Sequence, residues 1–328
     1  MRVTNRMMVN SYLNDMNYNL TNINKINNQL ATGKEINRPS DNPIKAAKSL
    51  SLNTSLSANA QYKQNIIDTN NYLDTVDEAL YQIGNSVSRI RELMIAAGNA
   101  AYGSSERAAN RDEIEERVKE ISQILNSSFD GKYIFGGTKT DSKPVTYENN
   151  DGTTEIKFLD KDGKKISLDT SDEADLIVLK NIGSTLNVEI SQGVTVDYNV
   201  NAMQILKFQN DKGEDVDVIN LLSEIQNNLI STDPREQQKV LNENLNSIDD
   251  VITNLLTLRS SVGAKQNRME SAQNKNEDEN LNMTEILSSV EDIDFTQKTI
   301  EYSMVQTTYM AALQVSAKVL PKSLLDYL

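Results

Sequence analysis

The chain is dominated by narrow apolar stripes at helical spacing. Val9, Leu13, Met16, Leu20, Ile23 and Leu30 succeed one another at intervals of four, three, four, three and seven residues, with Asn27 in one core slot. That spacing predicts a heptad seam on a helix. Leu73, Val76, Leu80, Ile83, Val87, Ile90, Met94 and Ala97 then alternate threes and fours without a miss. The same frame extends backwards through Leu52, Leu56 and Ile66, with polar Asn59, Lys63 and Asn70 in the slots between. Ile114, Val118, Ile121 and Leu125 form a third stripe, and Leu241, Leu245, Ile248, Ile252, Leu255, Val262 and Met269 a fourth. A fifth, weaker one holds Ile286, Val290, Ile293, Ile300, Met304 and Ala311. A stripe this narrow on a polar helix is not stable alone in water and needs a partner. Once paired, each Leu or Ile contributes about 1.5–3 kcal/mol. The inner stripes suit packing within the chain. The two terminal ones are expected to pack against each other and against neighbouring subunits.

Helix boundaries have local causes. Asn42-Pro43 sets an N-cap before a proline at the first helical position, and Asp233-Pro234 does the same, with Glu236 placed as capping-box partner. Gly33 is suited to end the first helix in a left-handed conformation. From Pro43 to about Ala101 a continuous helix would be roughly 85 Å long, which implies a rod. From Thr138 to about Asn201 the heptads stop. Thr153 to Leu159, a turn at Asp160–Gly163, and Lys164 to Leu168 read as one hairpin. Leu186 to Ile190 and Val194 to Tyr198 read as another. The predicted fold is mainly α with a β-rich insert: a long antiparallel helical rod whose N- and C-terminal helices pair. The expected regions are 1–40 with 284–328, 41–137 with 203–283, and an outer β-rich 138–202.

Composition narrows the chemistry. Trp, Cys and His are absent, Phe occurs five times, and aromatics make up 5% of the chain. Aromatic side chains bury the most surface per residue, so thin layers of aliphatic residues between helices are expected instead of a thick core. Without His or Cys, the commonest acid–base group, the thiol nucleophile and Cys/His zinc sites are gone. A net charge of −14 argues against nucleic acid, where Lys and Arg on phosphate dominate affinity. No apolar run approaches a membrane span, and the first residues lack the apolar core of a cleavable signal. Asp160, Asp162, Asp169 and Asp172 could supply a carboxylate enzyme, but nothing in their spacing makes them converge, and turns attract Asp. The Asp160-x-Asp162-Gly163 run reads as a hairpin turn and not as a calcium loop, because the twelfth position is Ser171.

The most informative stretch is Leu30-Ala31-Thr32-Gly33-Lys34-Glu35-Ile36-Asn37-Arg38-Pro39-Ser40-Asp41-Asn42-Pro43. Ile36 can plug an apolar gap, and Arg38 and Asp41 are spaced to fix the loop through charge-assisted hydrogen bonds. This stretch resembles the signature that links the first two helices in the flagellin superfamily. Leu258 to Glu270 is similar to the superfamily's returning helix, and Ser289 to Phe295 to the segment that opens its C-terminal helix. Phe129 to Gly137, Gly193 to Asn199 and the ending Ser323-Leu324-Leu325-Asp326-Tyr327-Leu328 resemble its hook–filament junction subunits more than its filament subunits. Asp41-Asn42 departs from the two Asp often found before the proline.

The resemblance implies a flagellin-like fold and a structural, non-enzymatic adaptor that joins hook to filament, with a filament-forming flagellin as the alternative. It implies export unfolded through the flagellar type III channel without a cleaved signal, and polymerisation at the distal tip of the extracellular flagellum. No cofactor is implied. The implied partners are a ring of like subunits, a hook-associated protein on the hook side, flagellin on the filament side, and an export chaperone at the C-terminal helix; nucleic acid and membrane are not among them. Assembly contacts are expected at Val9, Leu13, Met16, Leu20, Ile23, Leu30, Ile36, Arg38, Asp41, Ile300, Met304, Ala311, Leu324 and Leu325.

Overall fold

A computed structural model describes residues 5–98, 103–150, 153–168, 172–231 and 233–319. Three helices come first: α1 (Asn5–Thr32), α2 (Pro43–Ala97) and α3 (Ser104–Leu125). Short strands β1 (Ser128–Phe129), β2 (Lys132–Tyr133), β3 (Val145–Asn150), β4 (Thr153–Leu159) and β5 (Lys165–Ile166) follow. Helix α4 (Glu173–Ile182) precedes β6 (Asn187–Ser191) and β7 (Val194–Asp197), then α5 (Ala202–Leu206), β8 (Lys207–Gln209) and β9 (Asp215–Asp217). The chain returns to helix with α6 (Val218–Ile230), α7 (Pro234–Leu241), α8 (Glu243–Glu291) and α9 (Phe295–Val319). The strands form a three-stranded sheet in the order β3-β4-β5 and three separate hairpins, all antiparallel.

The helix ends follow the expected chemistry. Gly33 stops α1 at φ 71°, with its amide on the Gln29 carbonyl at 2.9 Å. Asn42 caps α2, its side-chain oxygen accepting from the Lys45 amide at 3.1 Å. Asp233 caps α7 by accepting from the Arg235 amide, but its own amide donates to the Ser231 hydroxyl at 3.1 Å where Glu236 was the expected capping-box acceptor. The mainly helical architecture with a β-rich middle is as expected, and so are the two predicted hairpins, although β5 is shorter than Lys164–Leu168. At Asp160–Gly163 the chain makes a tight turn with Gly163 at φ 78°. β3 and α4 within the middle go beyond the prediction, as do α5 and the β8–β9 hairpin just after it.

Two compact units divide the chain. One comprises Met1–Ala60 and Glu277–Leu328, and the other Gln61–Asn276, so α2 and α8 each contribute to both. The second unit contains the hydrophobic core, which runs from Ile66 to Met269. All eight positions of the α2 stripe from Leu73 to Ala97 are buried there, as are Ile114, Val118, Ile121 and Leu125 of α3. Along α8, Ile248, Leu255, Val262 and Met269 are buried, while Leu245 and Ile252 are half-buried at its margin. Arg259 makes a two-pronged pair with Asp77 at 2.9 and 3.1 Å, with its guanidinium 5.1 Å from the centre of the Tyr81 ring. In this way α8 is tied to α2 outside the apolar layer.

The sheet joins this core through α6, which packs on α3 and β4. Gln226 of α6 is fully buried. Its carboxamide accepts from the Thr154 amide at 2.8 Å and donates to the Thr154 carbonyl at 3.0 Å, so a buried polar group is satisfied by one strand residue. Asp130 and Gly131, at φ 50° and 73°, form the two-residue turn between β1 and β2, an Asp-Gly pair suited to a hairpin of that length. That turn places Ile134 and Phe135 in the core, at 1% and 0% exposure.

Candidate assembly surface

The terminal unit is built around α1 and α9, which pack against each other and run antiparallel. At one end the Tyr12 hydroxyl donates to the Ala312 carbonyl. At the other, the Glu35 amide donates to the Glu291 carbonyl at 2.6 Å and the Ile293 amide to the Gly33 carbonyl at 3.1 Å. The loop from Gly33 to Asn42 is thereby stitched, as a short antiparallel bridge at Lys34 and Asp292, to the segment that opens α9. The Phe295 ring lies under Gly33, 3.5 Å from where a Cβ would stand.

Glu291 is the hub of this stitch. It is 8% exposed. Its carboxylate accepts from the Lys34 ammonium at 2.5 Å, from the Ser49 hydroxyl, and from Asn53 at 3.4 Å. The bonds from Lys34 and Ser49 hold the Glu291 carboxyl below the ordinary carboxylate range. Glu35 pairs with Lys45 at 2.5 Å, and its carbonyl accepts from Gln29 at 2.7 Å. Asp41 does brace Arg38, but through the Arg38 backbone amide at 3.0 Å instead of the guanidinium, because residues 38–41 close a tight turn that brings the carboxylate back over its own backbone. The charged neighbour of Asp41 is Lys25, at 3.9 Å. Beside the stitch, Ile36, Pro39, Pro43, Ala46 and Leu50 line an open cleft of about 450 Å³, with Glu291 at its edge.

Within the unit, burial identifies the contact face of each terminal helix. On α1, Val9, Tyr12, Met16, Asn19, Ile23 and Leu30 are half-covered and Ile26 is buried. The seam therefore runs 9, 12, 16, 19, 23, 26, 30. It shares every other slot with the stripe read from the sequence, and replaces Leu13, Leu20 and Asn27 by the residue before each. Leu13 and Leu20 are left at its edge, 49% and 42% exposed. On α9, Lys298, Tyr302, Val305, Tyr309, Ala312 and Ser316 are half-covered, again at heptad spacing. Ile300, Met304 and Ala311 fall on the opposite side of the helix at 3.6 residues per turn, and all three are exposed, Ile300 at 58% and Met304 at 65%.

The expected contact residues thus fall into three sets. Val9, Met16, Ile23 and Leu30 lie in the seam between α1 and α9. Leu13, Leu20, Ile300, Met304 and Ala311 are exposed, and Ile36, Arg38 and Asp41 belong to the stitched loop beside the cleft. Leu324 and Leu325 lie outside the described residues. Sequence reasoning missed Lys34, Ser49 and Glu291, whose side chains meet across more than two hundred positions of chain. Their only signal was that Lys34 falls in the Leu30–Pro43 stretch and Glu291 in the Ser289–Phe295 segment. Among the described residues no group of three or more acidic side chains is placed to hold a metal ion. Asp160 lies in a hairpin turn and Asp172 caps α4, while Asp169 is outside the described residues. No described helix is long and apolar enough to cross a membrane.

Comparison with known proteins agrees with this arrangement. The family model of the bacterial flagellin N-terminal helical region matches residues 3–140, and that of the C-terminal helical region matches residues 245–328. Together they span well over half of the chain, which belongs to the flagellin family, structural components of the bacterial flagellum. Flagellar hook-associated protein 3 of Escherichia coli (strain K12) is 23% identical over 313 residues, covering 95% of each chain. A flagellin of Bacillus subtilis (strain 168) is 23% identical over 310 residues, covering 92% of this chain and 91% of the relative. Among solved structures, a flagellar hook-associated protein from Vibrio parahaemolyticus superposes with a TM-score of 0.60 at 22% identity, covering 77% of this chain and all of the other.

Proposed function

We propose that this chain is the structural adaptor that joins the flagellar hook to the filament. The observation that carries the reading is the unfinished terminal unit: α1 and α9 cover one seam and leave a second apolar face on α9 uncovered. Such a face suits a wall that closes only beside other subunits. The junction-like Phe129–Gly137 and Gly193–Asn199 segments, beside the likeness to hook-associated protein 3 over 95% of both chains, favour the junction over the filament. In this reading like subunits form a ring. The hook side meets another hook-associated protein and the filament side meets flagellin. The chain is exported without a cleaved signal, its C-terminal helix held by a chaperone beforehand. It has no enzymatic role. Contacts between subunits fall at Leu13, Leu20, Ile300, Met304 and Ala311, at Ile36, Arg38 and Asp41 of the loop, and at Leu324 and Leu325; Val9, Met16, Ile23 and Leu30 hold the two helices together.

The test is location and loss. Labelled antibody on intact flagella is expected to mark only the hook–filament boundary. Deletion of the chain is expected to release monomeric flagellin into the medium while hooks remain. Label along the whole filament would instead make it a filament flagellin.

A further inference from the structure

Among the described methionines, Met16, Met203 and Met283 are half-covered and the others fall at two extremes. Met94 and Met269, in the inner unit, are fully buried. Met7, Met8, Met304 and Met310, in α1 and α9, are 67%, 50%, 65% and 50% exposed. The chain has ten Met and no Cys, so thioethers are its only sulfur groups. A flexible, polarisable thioether suits a surface that must adapt to a neighbour. It is also open to oxidation, which turns an apolar side chain polar and disrupts Met-rich interfaces.

We propose that peroxide oxidation of the exposed thioethers Met7, Met8, Met304 and Met310, spread over the surfaces of α1 and α9, controls incorporation of the subunit. The inference rests on the reading that the outer faces of α1 and α9 pack on neighbouring subunits. The oxidant is hydrogen peroxide. A sulfur lone pair attacks one peroxide oxygen, an S–O bond forms and the O–O bond breaks. Sulfur gives up two electrons and becomes the sulfoxide. The proton on the transferred oxygen passes to the departing hydroxide, and the peroxide is reduced to water. Before incorporation the four sulfur atoms are open to this reaction. After incorporation the neighbour covers them. A sulfoxide formed beforehand places a polar group on a surface that must lose its water, which weakens docking.

The experiment treats the purified full-length chain with dilute hydrogen peroxide and follows each methionine by peptide mass spectrometry. It then measures incorporation onto isolated hook assemblies as the ratio of treated to untreated protein. The four named methionines are expected to oxidise at least about tenfold faster than Met94 and Met269, and the incorporation ratio to fall about tenfold. Methionine sulfoxide reductase is expected to restore it. In the fourfold variant Met7→Leu, Met8→Leu, Met304→Leu and Met310→Leu, the ratio is expected to stay near one whatever its untreated level; if that variant does not incorporate at all, rescue of the oxidised natural chain by the reductase decides. An unchanged ratio in the natural chain, loss that the reductase does not reverse, or an equal loss in the leucine variant overturns the proposal. Ile300→Ser, which carries no sulfur, separates the two readings. If it incorporates normally, the outer-face reading itself fails. If it does not, while oxidised natural chain does, only the methionine inference falls.

Discussion

Eight consecutive heptad positions of α2, Leu73 to Ala97, are buried, whereas on α9 Ile300, Met304, Leu313 and Val315 are 45–65% exposed. The two helices draw on similar residues and differ in the company they have. In the inner unit, α3, α6, α8 and the sheet supply the layers of one continuous core. In the terminal unit the buried apolar residues, among those described, are Ile26 and Val290. Each of these half-exposed side chains of α9 has about 1–1.5 kcal/mol still to gain from burial, less the cost of bringing another molecule to it. The inner unit is therefore the source of the subunit's own stability, and the terminal unit holds its stability in reserve for assembly.

Four substitutions bear on this contrast, from the largest expected effect on the isolated subunit to the smallest. Leu80→Ala should cost about 2–5 kcal/mol in denaturant unfolding, since it opens a cavity in a packed layer. A cost near zero would mean the inner core is not what holds the molecule. Gly137→Ala should cost about 1–3 kcal/mol. Gly137 sits at φ 59°, and a Cβ there would lie 2.3 and 2.4 Å from the Ile182 and Asn181 carbonyl oxygens. Glu291→Gln should cost about 1 kcal/mol, read locally as faster amide exchange in the loop and the start of α9. Its pH dependence follows from the lowered carboxyl. The stabilisation is complete above the ordinary carboxylate range and is lost as pH falls through the lower value of the folded state. The natural chain and Glu291→Gln should accordingly converge in acid, and a gap that widened there would contradict the stitch. Ile300→Ser should change the stability of the isolated subunit by no more than about 0.5 kcal/mol and still prevent incorporation. A large loss of stability would place Ile300 in an internal core.

The same contrast explains what could be read in the sequence. The α2 and α3 stripes were legible because each helix there has one apolar face and buries it. On α1 the frame was displaced in alternate slots, because the seam uses Tyr12 and Asn19, which an apolar pattern passes over in favour of Leu13 and Leu20. On α9 apolar residues lie all round the helix, so spacing picked out the outer face and left the inner one, with Lys298, Tyr302 and Ser316, unseen. Helix α4 spans ten residues and is too short for a heptad to show, and β3 ends in Asn149 and Asn150, a residue type depleted in strands. The loop from Gly33 to Pro43 was located by its composition. Its partner Glu291 was not, because a contact so distant along the chain leaves no local mark.

The most direct test is hydrogen exchange of the α1 and α9 amides in the free subunit and in assembled hook–filament junctions. The inner α2 amides from Leu73 to Ala97 serve as the internal reference. Fast exchange of the terminal helices when free, slowing to the level of α2 once assembled, is the predicted result. Terminal amides already as slow as α2 in the free subunit, and unchanged by assembly, would contradict the account.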